Sequence, residues 1–123
     1  SALALYYLID NNIINDDDEI KDLFDIVISI NKDLELKNLV IFKKALYFSD
    51  KFEEVELLKI LNPVLNSESI WKQHGLLLMG DFYFHKNQMN KAKEFFQKIT
   101  ELSNVNPKLR IEVEKRLNRD FSE

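Results

Sequence analysis

Apolar side chains recur at three- and four-residue steps along nearly the whole chain, the spacing that lays one oily stripe on a helix. Leu3 to Ile9 is apolar almost all round and reads as the end of a buried helix. The run Asn15, Asp16, Asp17, Asp18, Glu19 interrupts it and suits the start of a second helix. There, carboxylates cap free N–H groups and meet the positive end of the helix dipole. Ile20, Leu23, Phe24, Val27 and Ile30 continue that helix as a stripe. Asn31, Lys32 and Asp33 predict a turn, and Leu36, Leu39, Val40, Phe42, Ala45 and Leu46 a third helix that stops near Ser49 and Asp50. Phe52, Val55, Leu58 and Leu61 start a fourth. Pro63 should kink or end it, because proline lacks the N–H and crowds the carbonyl four residues back.

A fifth helix from Ile70 to about Lys86 is the most apolar, with Trp71, Leu76, Leu77, Leu78, Met79, Phe82, Tyr83 and Phe84. Asn66 to Ser69 supplies its cap, and a helix apolar on most faces belongs at the centre of the packing. Asn87 and Gln88 turn the chain into a sixth helix marked by Ala92, Phe95, Phe96, Ile99 and Leu102. Asn106 followed by Pro107 is a helix start, a cap residue before a proline at the first helical position. Leu109, Val113, Leu117 and Phe121 make one stripe on a last helix whose other faces are charged. One apolar side and one wet side is what a terminal capping helix requires.

Composition narrows the class further. The chain has 123 residues, enough for the single domain expected over residues 1–123, with 46% hydrophobic and 31% charged residues. Only two glycines and two prolines occur, which favours helices over turn-rich sheets. A net charge of −4 argues against a general nucleic-acid binder. Lys108, Arg110, Lys115, Arg116 and Arg119 make the C-terminus locally basic, but Glu112, Glu114, Asp120 and Glu123 interleave with them, the pattern of a solvated helix surface. The absence of cysteine removes disulfides, thiolate zinc sites and cysteine nucleophiles together. No apolar run approaches the ~18 residues a membrane helix needs. Because the chain opens on Ser-Ala-Leu already in helix, it reads as a fragment of a longer protein, with any targeting or anchoring segment upstream.

Short antiparallel helices of similar length raise the question of internal repeats. Helices five and six match the tetratricopeptide pattern: Gly80 and Tyr83 take the small and aromatic positions of the first helix, Ala92 and Phe96 those of the second. Gly80 and Ala92 let two backbones approach, while Tyr83 and Phe96 fill the space around them. Met89 replaces the usual turn aromatic and Asn87 the usual turn glycine, since asparagine also tolerates left-handed φ. In helices three and four, Leu39, Leu46, Phe52 and Val55 take the equivalent places, with Phe52 to Met89 close to the roughly 34-residue period. That register puts Lys43 where glycine belongs and makes this copy degenerate. Helices one and two offer no convincing alignment.

The resemblance extends past the generic repeat. Asn62 to Leu65, Ile70 to His74, Leu76 to Gly80, Lys91 to Phe96 and Asn106 to Arg110 together resemble the tetratricopeptide-like domain of bacterial inner-membrane-anchored proteins. Those proteins are related to the ancillary subunit of the SecYEG translocon, and the resemblance covers roughly residues 34–120. It implies an N-terminal membrane anchor outside this chain, a periplasmic domain, and a role around protein export or envelope quality control. Partners would be proteins, such as translocon components or periplasmic chaperones.

Each candidate for chemistry has a plainer structural reading. His74 and His85 lie about three helical turns apart, roughly 16 Å at 1.5 Å rise per residue, so no single metal reaches both. Asp81, four residues before His85, suits a carboxylate–imidazole hydrogen bond along the helix. A catalytic dyad there lacks a nucleophile, and Ser49, Ser67, Ser69 and Ser103 fall at helix ends where capping explains them. The Asp16–Glu19 cluster lacks the spacing and glycine of a calcium loop. The aromatics recur at core spacing without a basic frame. No catalytic residue, metal or cofactor is expected.

What remains is a groove lined by the first helix of each pair. By motif position it takes Lys37, Val40, Ile41, Lys44 and Tyr47 from one pair, and His74, Leu77, Leu78, Asp81 and Phe84 from the next. Lys37 and Lys44 would grip an acidic segment, with Tyr47 and Phe84 as apolar anchors. Equally, neighbouring helices would cover the apolar members entirely. The sequence thus predicts an all-α, tetratricopeptide-like array of about three helix pairs plus a capping helix, acting as a protein-interaction scaffold. The alternative is a homo-oligomerisation module without a peptide groove.

Overall fold

Caps and turns chop the chain into helices where the polar runs stand. The computed structural model describes residues 2–121. Its elements are α1 (Ala2–Asp10), α2 (Asp17–Ile30), α3 (Leu34–Phe48), α4 (Glu54–Leu65), α5 (Lys72–His85), α6 (Met89–Thr100) and α7 (Pro107–Phe121). No strand occurs among the described residues, so the fold is all-α. Asp16 caps α2, its carboxylate accepting from the N–H groups of Asp18 and Glu19 at 2.9 and 3.3 Å. Asp33 does the same for α3 through Leu36, at 3.1 Å. Asn106 caps α7 through Lys108 at 2.9 Å, with Pro107 at the first helical position.

Two asparagines terminate helices by adopting left-handed φ, Asn12 at 55° and Asn87 at 60°. At each, the next residue's N–H reaches back five residues: Ile13 to the carbonyl of Leu8 and Gln88 to that of Tyr83, both at 2.9 Å. Asn12 and Asn87 themselves donate to Ile9 and Phe84 at 3.1 Å, completing a Schellman motif in both places. Asn87 therefore does what a turn glycine would. Pro63 lies inside α4, which ends two residues later at Leu65.

The chain forms two compact units, Ser1–Val64 and Leu65–Glu123. In the first, α2 packs against both α1 and α3. Leu5, Ile20, Phe24, Val27, Val40 and Phe48 form its core cluster, edged by Tyr6, Leu23, Tyr47 and Phe52. Phe48 stacks on Phe52 at 4.5 Å and meets Phe24 edge-on at 6.5 Å. Each such ring or branched side chain removed from water contributes about 1.5–3 kcal/mol. In the second unit, α6 packs against both α5 and α7. There Ala92, Phe96, Ile99 and Val113 are fully buried, with Tyr83 and Met79 beside them in the buried set.

One pattern recurs along the chain. Ile20, Leu57 and Ala92 donate their backbone N–H groups to Asp16, Glu53 and Gln88, at 2.9, 3.0 and 3.0 Å, to open α2, α4 and α6. From that point the buried positions fall in the same register: Ile20, Phe24 and Val27; Leu57, Leu61 and Val64; Ala92, Phe96 and Ile99. The period is roughly 36 residues, within the range of helical-repeat architectures. The preceding helices α3 and α5 agree as well. Buried Val40, Ile41, Lys44, Ala45 and Phe48 fall in register with buried Gly75, Leu76, Met79, Gly80 and Tyr83.

This register corrects the expected alignment of the middle pair. Leu46 and Val55, assigned to packing positions, are exposed, and Lys43 does not stand at the small position. Ala45 does, and it is fully buried, although α3 and α4 do not pack on one another as extensively as α5 and α6. Two overlapping apolar stripes run along α4, and burial selects Leu57, Leu61 and Val64 over the one that begins at Val55. In α2 and α3, Ile30 and Leu36 are likewise exposed although their spacing puts them on a stripe.

Gly80 shows what the small position does. A methyl group built there would meet the Phe96 ring, with Cδ1 at 2.6 Å and Cζ at 3.0 Å. Phe96 has no free space to yield, being fully buried with its ring 6.1 Å from that of Phe121. Alanine at position 80 gains about 1 kcal/mol of helix propensity, but overpacking costs about 1–3 kcal/mol. Gly80→Ala is therefore expected to lower stability by about 1 kcal/mol in urea melts. Adding Phe96→Leu to Gly80→Ala should cost less than Phe96→Leu costs in the parent chain. A stabilised Gly80→Ala protein would contradict this packing.

Candidate functional site

The residues expected to line a groove come from α3 and α5, and helix packing treats them unequally. On α3, Val40 and Ile41 are buried, and Lys44 is only 7% exposed. The Lys44 ammonium does not face outward to grip a partner. It donates to Asp25 Oδ1 at 2.6 Å, fastening α3 to α2. Tyr47 is half-buried; its ring lies 6.3 Å from Phe24, and its hydroxyl donates to Asp17 Oδ1 at 3.1 Å. Burial raises the pKa of that phenol, as do the hydrogen bond and charge of Asp17 and the charge of Asp50. Lys51 stands 5.0 Å above the same ring. Lys37 is half-buried and makes no ion pair among the described residues.

On α5, the last helix takes over part of the expected face. Arg116 of α7 holds Asp81 with both arms of its guanidinium, Nε to Oδ1 at 2.8 Å and Nη2 to Oδ2 at 3.1 Å. Its third nitrogen, Nη1, donates to Glu112 at 2.7 Å. Burial works against the charge on Arg116, but the hydrogen bonds and fields of Asp81 and Glu112 outweigh it and raise the pKa. Asp81 thus bonds Arg116 across helices, not His85 along its own. Phe84 meets Phe121 edge-on at 6.4 Å. Leu77, Leu78 and His74 are half-buried. His74 lies beside Trp71, ring centroids 5.0 Å apart. The repeat-packing residues Gly80, Tyr83, Ala92 and Phe96 are all buried.

Arg116, Asp25, Gln73 and Tyr6 carry structure that the sequence reading overlooked. Arg116 looked like part of a solvated basic surface, yet it sits beside Val113 and Leu117 on the apolar stripe, which was the available signal. Gln73 Oε1 accepts the N–H of Asn106 at 2.8 Å and pins the start of α7 to α5. The Tyr6 hydroxyl is shielded from water with no hydrogen-bond partner, and burial raises its pKa. It stands between two clefts of the first unit. One, of about 330 Å³, is lined by Ile9, Asp10, Phe24, Lys43, Leu46 and Tyr47 with Tyr6. The other, of about 500 Å³, is apolar and lies between α1, the end of α2 and the start of α3.

Among the described residues no group of three or more His, Asp or Glu side chains could hold a metal ion. No helix among them is long and apolar enough to cross a membrane.

Two measurements follow from these contacts. Arg116→Met keeps the alkyl stem and leaves Asp81 without its guanidinium, so it should cost about 1–2 kcal/mol, and Asp81→Asn less. An unchanged urea midpoint for Arg116→Met would show that α7 is held by its apolar stripe alone. Burial lowers the His74 pKa below the ordinary 6.5, with a hydrogen bond to the Ile70 backbone opposing. The unfolded chain then binds the proton more readily than the folded one. Stability from neutral His74 is complete above pH 6.5 and declines as pH falls from there toward the lower folded pKa. His74→Gln should flatten the dependence of the urea midpoint between about pH 7.5 and 5.

No protein-family model matches the chain, and no curated protein or solved structure matches it either.

Proposed function

We propose that the chain is a tetratricopeptide-like array of three helix pairs closed by α7, working as a protein-interaction scaffold and not as an enzyme. Its setting is the periplasmic face of a bacterial inner membrane, reached through an anchor outside this chain, in the neighbourhood of protein export or envelope quality control. The observation that carries the repeat reading is the recurring buried register of α2, α4 and α6, with the small residues Ala45 and Gly80 preceding the last two. A period of roughly 36 residues is near the 34 of tetratricopeptide repeats. Repeats of this kind carry curved surfaces that hold polypeptides, and stacked units are stable without any catalytic residue.

The contacts above reshape each helix's expected face. Lys44 and Asp81 are neutralised within the protein, so α3 keeps Lys37 and half-open Tyr47, and α5, in the other unit, keeps half-open Leu77, Leu78 and Phe84. A partner would be gripped by apolar and aromatic surface more than by charge.

The test uses the full-length protein in cells, with a photo-crosslinking residue at position 37 or 84 and, as a control, at exposed Lys59 of α4. Discrete adducts with another protein from 37 or 84, absent from 59 and recovered in the membrane fraction, are the expected result. Adducts with a second copy alone would favour an oligomerisation module. A protein in the cytosolic fraction would overturn the envelope setting, and no adducts from 37 or 84 would overturn the scaffold.

A further inference from the structure

The cleft of about 500 Å³ in the first unit is bounded by Ala2, Leu3 and Tyr6 of α1, by Val27, Ile30 and Asn31 at the end of α2, and by Leu36, Leu39 and Val40 of α3. Its walls keep large apolar residues in water: Leu3 is 80% exposed, Ile30 63% and Leu36 52%. Contiguous apolar exposure of this kind marks an interaction surface. Asn31 is the one side-chain amide in the lining, and its Oδ1 already accepts the Asp33 N–H at 3.2 Å.

Charge distinguishes the occupants. Residues 1–64 hold thirteen carboxylates against seven lysines, although the whole chain carries only −4. Closer in, α2 ends at this cleft with no basic residue in its last turn. Its C-cap, Asn31, is extended at φ −79° and ψ 121°, so no left-handed cap closes the final carbonyls. The negative end of a helix dipole therefore sits on the rim. Lys32 and Lys37 are accompanied by Asp33 and Glu35, so the segment that follows α2 adds no net positive charge to this rim.

We infer that this cleft takes an amphipathic helix of another protein, its apolar face against Leu3, Ile30 and Leu36 and a lysine or arginine over the end of α2. This names a partner class for the scaffold proposed above and rests on that reading. The cleft is walled by helices, and no sheet edge among the described residues offers strand pairing, so helix-in-groove docking is the mode that fits. A second copy of the chain is a poorer occupant. Pairing this apolar face with itself would set one acidic unit against another, and the more basic α7 exposes one large apolar residue, Ile111, too little to fill the space. An anionic bilayer surface is repelled by the acidic unit.

The experiment is calorimetric titration of the purified chain with a synthetic amphipathic helix of leucine and lysine, alongside its leucine–glutamate counterpart. Leu36→Asp and Ile30→Asp alter exposed positions, so both should keep the parent's helical circular dichroism and Leu36→Asp its urea midpoint, while Ile30→Asp, a carboxylate at the negative end of α2, should lower the midpoint slightly. The lysine peptide should bind about tenfold or more tighter than the glutamate peptide, and weaken as salt rises. Leu36→Asp and Ile30→Asp should each reduce its affinity about tenfold. Four results would overturn the inference. These are no binding at millimolar peptide, equal binding of both peptides, affinity unchanged in the two variants, or a parent chain that self-associates through this face and becomes monomeric in Leu36→Asp. Vesicle binding abolished by the same variants would reassign the cleft to a membrane. None of these outcomes touches the crosslinks from position 84, on α5 of the second unit, which report on the scaffold reading separately.

Discussion

Everything in the second unit depends on how closely α5 and α6 can approach. That distance is set where Gly80 faces the Phe96 ring with no room for one more carbon. Close approach lets Tyr83 and Met79 bury completely, and it leaves a surface on which the Val113 stripe of α7 can lie. In the first unit the corresponding small residue is Ala45, fully buried, with Phe48 three residues on as Tyr83 is after Gly80. Interiors pack at crystal-like density, so the close pair α5 and α6 tolerates only a small residue at the point of contact.

Charge plays a structural part that composition conceals. Lys44 with Asp25, and Arg116 with Asp81 and Glu112, each join two helices through one cation. Neither pair is sealed from water, since Asp25 keeps 51% of its side chain exposed and Asp81 35%. Partial hydration limits both the desolvation cost and the attraction. The worth of these pairs lies as much in orientation as in energy. A two-pronged guanidinium bond fixes the rotation of α7 about its axis, which a row of apolar contacts alone would leave loose.

Several helix ends were legible in the sequence because their chemistry is local, though α5 opens at Trp71 with no side-chain cap where Asn66 to Ser69 was expected to supply one. Asp16, Asp33, Asn106 with Pro107, and Asn87 declare themselves without reference to any distant residue. Register was not legible in the middle pair. Val55, Leu57, Leu58 and Leu61 support two stripes about equally, and which one turns inward depends on the shape of its neighbours. The same limit explains Lys44 and Arg116. A long side chain with an apolar stem fits either inside or outside, and only a carboxylate on another helix decides it. Asn12 is a left-handed stop of the same kind as Asn87, but the acidic run that follows Asn11 and Asn12 is itself a helix start, which hides the stop before it.

The stranded hydroxyl of Tyr6 gives α1 a particular place in the life of the molecule. A phenol withdrawn from water without an acceptor forfeits about 1–3 kcal/mol relative to one that is satisfied. Swinging α1 outward recovers that loss at the expense of Leu5, its one buried residue, whereas freeing α6 would expose Ala92, Phe96 and Ile99 with nothing gained in return. Thermal breathing should accordingly begin at the amides of α1 and reach α6 last, a gradient in exchange rates from one end of the chain inward.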